Sequence, residues 1–191
     1  SGKTVTLTSC LSLRNTDDVK ILTAEDPVEF NFSGVNQVNV VKEVGMTFAK
    51  ALKAFLRQDP DICMIGEIRD LETGEIAVEA SMTGHLVLST LHTNDAPSTV
   101  TRLIDMGVPS FNVSAALVLC TAQRLLRKIC PECKQPMNKL PANKLIEAGF
   151  SQDEVGTIQL YEGRGCPVCK GSGYKGRLGV FEIMDATPFV A

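Results

Sequence analysis

The chain has 191 residues, 44% of them hydrophobic, which supports a sizeable core and excludes a wholly disordered polymer. Its net charge of −3 argues against a nucleic-acid carpet or a polybasic membrane anchor. No signal-peptide pattern opens it and no apolar run nears the roughly 18 residues of a membrane span, while seven cysteines, four of them in two C-x-x-C pairs, favour metal binding in a reducing cytoplasm over disulfides.

The sequence begins Ser1-Gly2-Lys3-Thr4 with no methionine, which reads as a fragment boundary. Residues 4–14 read as a helix. Residues 19–24 read as a short strand ending in the acidic loop Glu25-Asp26-Pro27-Val28-Glu29, and 35–41 as another strand. Phe48, Leu52, Phe55 and Leu56 form a helical stripe over 47–58, stopped by Asp59-Pro60. Residues 61–66 are a nearly continuous apolar run, as expected of a strand buried on both faces. A helix over 71–82, a buried strand over 85–91 and helices over 96–106 and 109–129 complete the pattern, with Pro97 and Pro109 suited to first helical turns. Strands alternating with helices predict an α/β fold with a parallel sheet. From Cys130 the chain is richer in Gly, Pro and Cys, so the expected division is a core over 1–129 and a metal-stapled subdomain over 130–185.

Several constellations carry chemistry. Gly2-Lys3-Thr4 matches the end of a P-loop, in which backbone N–H groups cradle phosphates, the lysine reaches the β/γ-phosphates and the hydroxyl meets magnesium; taken alone it is also an ordinary turn. The run Asp61 to Glu67 delivers an acid at the C-terminal end of a buried strand, the edge where open α/β sheets bind ligands. Glu25, Asp26 and Glu29 gather carboxylates at the end of another strand, tolerated where a metal or an attacking water needs them. His85 and His92 bracket one strand; His92 falls at the catalytic edge, and His85 also reads as a structural histidine. Arg124, Arg127 and Lys128 lie near the expected end of the 109–129 helix, where cations are favoured. Cys130, Cys133, Cys166 and Cys169, two pairs separated by 32 residues that must hold a helix near 143–149 and a strand, suit a closed tetrahedral zinc site. Cys10, Cys63 and Cys120 sit on apolar segments and read as core.

In their order these motifs resemble the secretion-superfamily ATPases that power type IV pilus assembly and type II secretion. The resemblance runs over essentially the whole chain and rests on Ser1-Gly2-Lys3-Thr4, ILTAEDPVEF (21–30), LRQDPDICMIGEIRDLETGEIA (56–77), TGHLVLSTLHTNDAPSTVTRLIDMGVPSFNV (83–113), AQRLLRKICPECK (122–134) and GCPVCKGSGYKGRLGVFEIM (165–184). The pilus-extension ATPases are the nearest subgroup and the type II secretion ATPases the next; the retraction ATPases lack the tetracysteine element. The resemblance implies a RecA-like P-loop core, incomplete because the P-loop strand is missing, with a zinc subdomain. It implies ATP and Mg2+ bound with Gly2, Lys3, Thr4, Glu25, Asp26, Arg69 and His85. Catalysis falls to Glu29 as the base that polarises water, Glu67 as the Walker B acid and His92 as the link to conformation, and Zn2+ to the four paired cysteines. The implied assembly is a homohexamer, cytoplasmic and peripheral to the inner membrane, acting on a membrane platform protein, with no membrane insertion and no nucleic-acid partner. For the 191 residues alone the missing N–H cradle of the P-loop predicts weak ATP binding and no turnover, which would leave a catalytically incompetent zinc-stapled module.

Overall fold

The computed structural model describes residues 2–137 and 140–186; Ser1 of the expected P-loop remnant lies outside the described residues. Strands β1 (Ile21–Glu25), β2 (Val35–Asn39), β3 (Ile62–Ile65) and β4 (Leu86–Ser89) form a parallel sheet in the order β2-β1-β3-β4, as the α/β alternation predicts. Every residue of β1 and β3 is buried, which explains the unbroken apolar run of β3 and the Ile21-Leu22 start of β1, whose Thr23 and Glu25 are buried polar residues. β4 differs from expectation. It is an edge strand among the described residues and only partly covered, with Leu86 44% exposed, because one of its sides has no neighbouring strand.

The two faces of the sheet are covered by different helices. On one, α2 (Phe48–Phe55) and α3 (Leu71–Met82) pack Phe48, Leu52, Phe55, Ile76 and Ala77 against Leu22, Ala24, Cys63 and Ile65. On the other, α1 (Lys3–Arg14) sets Leu11 against Ile21, Ile62 and Met64. Alternation along each strand therefore feeds two cores. The helix starts are fixed by side-chain caps: Thr47 Oγ1 accepts from Lys50 N at 3.2 Å, and Asp70 Oδ1 from Thr73 N at 2.9 Å. Helices α4 (Ser98–Asp105) and α5 (Ser110–Ala116) add a third cluster of Val78, Leu103, Val108 and Val113. With all strands parallel, their C-terminal ends share one edge, and the candidate site lies there.

The expected helix over 109–129 is overturned. α5 ends at Ala116, and Leu119–Ile129 is strand β5, which pairs with strand β8 (Tyr174–Asp185). The hydrogen-bond partner comes from far along the chain and outweighs local helical preference. Arg124, Arg127 and Lys128 therefore stand on a strand, and the helix-terminus explanation for them falls.

By contacts the chain divides into two units. One runs up to Arg124 and resumes at Phe181; the other is Leu125–Val180. In the second, β6 (Lys134–Pro136) pairs antiparallel with β7 (Tyr161–Gly163), and α6 (Ala142–Glu147) and α7 (Gln152–Val155) lie between them in sequence. Arg127 stacks over Tyr174 at 4.1 Å and Lys134 over Tyr161 at 4.0 Å.

Candidate functional site

Gly66, just past β3, ties the sheet edge together. Its N–H donates to Ala24 O at 2.8 Å, and its carbonyl accepts from Thr90 Oγ1 at 2.8 Å, linking β1, β3 and the segment after β4. Glu67 follows, its side chain only 13% exposed. One carboxylate oxygen is paired with Arg69 and the other with His92 Nε2 at 3.0 Å. The hydrogen bond from Arg69 holds the Glu67 carboxyl below its ordinary value; burial works against this and His92 adds to it. The same pair, with a smaller contribution from Asp26, raises the Arg69 pKa. Asp26 otherwise meets Lys42 at 3.9 Å in an exposed pair of little energetic weight.

Gly2 and Lys3 arrive at the same edge. Gly2 has φ 81, a left-handed conformation open to glycine, and caps α1, whose first turn carries Lys3 and Thr4. The Lys3 ammonium donates to the carbonyl of Leu91, the residue before His92. A lysine, a glycine-capped helix N-terminus, a carboxylate and an imidazole are thus linked through β3 and β4, a set suited to phosphate and a hard cation.

The acidic loop leaves β1 beside them. Glu25 is 6% exposed and accepts from Thr23 Oγ1 at 2.6 Å and Gln37 Nε2 at 3.0 Å. Glu29 is exposed and makes no hydrogen bond or ion pair among the described residues. Val28 N donates to Asn39 Oδ1 at 2.8 Å, Phe32 N to Gln37 Oε1 at 2.8 Å, and Gln37 Nε2 to Phe30 O at 2.8 Å. Thr23, Gln37 and Asn39 escape the sequence reading. The signal was there in polar residues alternating along two neighbouring strands, at 23 and 25 and at 37 and 39.

His85 is not brought to this edge. It precedes the N-terminal end of β4, where its Nδ1 lies 3.0 Å from Ala80 O and 3.2 Å from Thr83 Oγ1 at the end of α3. Arg124 Nη2 donates to Asn94 O at 3.3 Å.

Cys130, Cys133, Cys166 and Cys169 converge, with all four sulfurs within 4.8 Å of one another. Sulfur separations are 3.9 Å for Cys130–Cys166, 3.8 Å for Cys133–Cys169 and 3.7 Å for Cys166–Cys169. These are far longer than a disulfide bond of about 2.05 Å. They match the edge of about 3.8 Å expected for a tetrahedron of thiolates about 2.3 Å from a central zinc. Cys169 Sγ also accepts N–H bonds from Cys166 at 3.2 Å and Gly173 at 3.3 Å. Burial opposes ionisation of Cys169, but these donors and the neighbouring thiols bring it down to about 6. Burial and the surrounding sulfurs push Cys133 up to about 12, against one lowering N–H from Gly165. Of the other three cysteines, Cys63 and Cys120 are buried as expected, but Cys10 is exposed because α1 turns Leu11 inward and Cys10 away.

The sequence matches the family model described as "Type II/IV secretion system protein" over residues 1–190. It is 58% identical to the type IV pilus assembly ATPase PilB of Myxococcus xanthus (strain DK1622), over 96% of this chain and 32% of that protein. It is 50% identical to the type II secretion system ATPase E of Vibrio cholerae serotype O1, over 96% of this chain and 36% of that protein. The chain therefore spans about a third of the length of these relatives. The crystal structure of the pilus retraction motor PilT with bound ADP superposes with a TM-score of 0.62 at 42% identity, covering 69% of this chain and 41% of that one.

Proposed function

The chain belongs to the type II/IV secretion system protein family, and from that premise we propose that it supplies catalytic residues to an ATPase motor driving type IV pilus assembly. The observation that carries this reading is Glu67, gripped between Arg69 and His92 at the sheet edge where Lys3 meets Leu91 O. The core, 1–129, is read as RecA-like, and 130–185 as a structural zinc subdomain held by Cys130, Cys133, Cys166 and Cys169.

Lys3 and the free N–H groups of the first turn of α1 hold phosphate, the Thr4 hydroxyl holds Mg2+, and Gly2 lets the backbone approach. Bound MgATP supplies the phosphoryl group and the neutralising charge, so the protein's task is positioning. Glu67 would stand beside bound Mg2+, where its carboxylate could accept hydrogen bonds from water. Glu29, exposed and unpaired among the described residues, accepts the proton of the attacking water. Glu25 and Asp26 support the acidic loop, Arg69 fixes Glu67, and His92 links the state of Glu67 to the segment after β4. His85 acts on the site only through α3 and β4, since its ring lies against Ala80 O and Thr83 Oγ1. The whole motor is proposed to be a cytoplasmic homohexamer peripheral to the inner membrane, engaging a membrane platform protein. Among the described residues no helix is long and apolar enough to cross a membrane. The 191 residues contain no complete G-x-x-x-x-G-K-[ST] loop, so the isolated chain is expected to bind ATP weakly and not to turn it over.

A second reading, a type II secretion ATPase, is favoured by the 50% identity to the Vibrio cholerae protein. Complementation separates the two: the full-length protein should restore pili to a strain lacking its extension ATPase and not secretion to a strain lacking the type II ATPase. In the full-length protein Glu67→Gln should lower kcat at least about a hundredfold while nucleotide affinity is kept; unchanged turnover would overturn the assignment of the site.

A further inference from the structure

Strand β2 carries two amide side chains two residues apart on one face. In register Gln37 pairs with Thr23 and Asn39 with Glu25, so both stand beside the polar end of β1. Their hydrogen bonds fall on either side of Glu29. Asn39 Oδ1 accepts from the N–H of Val28 at 2.8 Å, one residue before it. Gln37 Nε2 donates to the carbonyl of Phe30 at 2.8 Å, one residue after it, and Gln37 Oε1 accepts from the N–H of Phe32 at 2.8 Å. The same Nε2 donates to the buried Glu25 carboxylate at 3.0 Å, which Thr23 also holds.

Backbone groups of a loop pair with water, other backbone or side chains, and side chains that take them fix where the loop runs. Here side-chain amides fix the main chain before and after Glu29 while leaving its own carboxylate without a partner among the described residues. That division is what a proton acceptor needs: a Cα held in place and oxygens free for water. We propose that Gln37 and Asn39 are positioning residues for Glu29, a two-amide clamp that sets where its carboxylate meets the attacking water. The inference rests on the reading of Glu29 as that proton acceptor. It adds that the clamp acts on the chemical step and not on nucleotide binding, because neither amide is on the elements that carry Lys3 or Thr4.

The test uses the full-length protein, with steady-state ATP hydrolysis and the affinity of a fluorescent ATP analogue measured side by side. Asn39→Ala and Gln37→Ala should each lower kcat about ten- to a hundredfold with analogue affinity unchanged within about twofold. Asn39→Asp keeps an oxygen to accept the Val28 N–H and should return kcat to within about threefold of the parent, a rescue that also guards against simple misfolding. Glu29→Gln combined with Asn39→Ala should be no slower than Glu29→Gln alone, since the clamp has nothing left to position. If Glu29→Gln abolishes turnover but both alanine variants keep the parent kcat, the clamp is overturned and the Glu29 reading survives. A failed rescue by Asn39→Asp, or an equal fall for Asn39→Ala with and without Glu29, reduces the amides to loop structure and also overturns it. Full activity of Glu29→Gln overturns the Glu29 reading and the clamp together.

Discussion

Chelating the metal, or replacing Cys169 with serine, should unfold the Leu125–Val180 unit and spare the sheet. The magnitude follows from what that unit otherwise has to hold it. Its buried apolar residues among those described are Leu145, Cys130 and Cys169, and two of the three are the candidate ligands themselves. So small a core cannot offset the chain entropy of ordering the unit. A structural zinc contributes an apparent 10–16 kcal/mol, roughly, at neutral pH, so its loss exceeds anything the remaining contacts supply. The sulfur separations of 3.7, 3.8 and 3.9 Å set the second magnitude. A zinc in a tetrahedron of that edge would lie about 2.3 Å from each sulfur, so X-ray absorption on the zinc-loaded protein should return four sulfurs at that distance. Metal analysis should find about one zinc per chain, and Cys169→Ser should lose it. Hydrogen exchange after chelation should lose protection across 125–180 and keep it in β1 and β3. Less than a fifth of a zinc, roughly, after preparation in zinc-containing medium, or unchanged exchange over 125–180 after chelation, would refute the reasoning.

Other consequences are open to direct measurement. Leu52 is fully buried among Phe48, Phe55 and Ile65, so Leu52→Ala should cost about 2–5 kcal/mol in urea unfolding of the sheet unit. The Arg69 hydrogen bond lowers the Glu67 pKa on folding, so the resulting stability is fully present above the ordinary carboxylate range and is lost as pH falls through the lower folded value. Glu67→Gln should therefore flatten the acid limb of a Tm–pH curve; an unchanged limb would mean that the pairing does not persist in solution. Burial pushes the Cys63 thiol up to about 11, so at pH 8, roughly, the folded protein should alkylate at exposed Cys10 and spare Cys63 until it unfolds.

The sheet was legible where strands are buried on both faces and helices carry a one-sided apolar stripe. Ile62 to Ile65 could hardly be anything else, and the Phe48–Leu52–Phe55 stripe marks the face of α2 that meets it. The 109–129 segment was not legible, since Pro109 suits a first helical turn and the run after it reads as one helix when viewed locally. Its strand depends on residues 174–185, which no local window contains. The acids, His92 and the cysteines were recognisable by type and spacing. Which atoms meet was not: Glu67 shares itself between Arg69, two residues on in the same loop, and His92, 25 residues away, and the second contact follows from β3 lying beside β4. Gln37 and Asn39 were passed over because an amide on an edge strand has an easy life in water; only the register beside Thr23 and Glu25 shows what they hold.

The way the chain passes into and out of the cysteine-bearing unit has a genealogical consequence. Leu125–Val180 departs along β5 and returns along β8, two strands paired with each other, so in the chain it is a parenthesis between two stretches of the other unit. Losing such a parenthesis takes two cuts and one join, gaining it takes one cut and two joins, and all four strands of the order β2-β1-β3-β4 precede it in the chain. A lineage can therefore acquire or discard the thiolate cluster in one event that leaves every residue of the four-stranded sheet in place, and a short linker substituted for 125–180 would recreate that event in the laboratory.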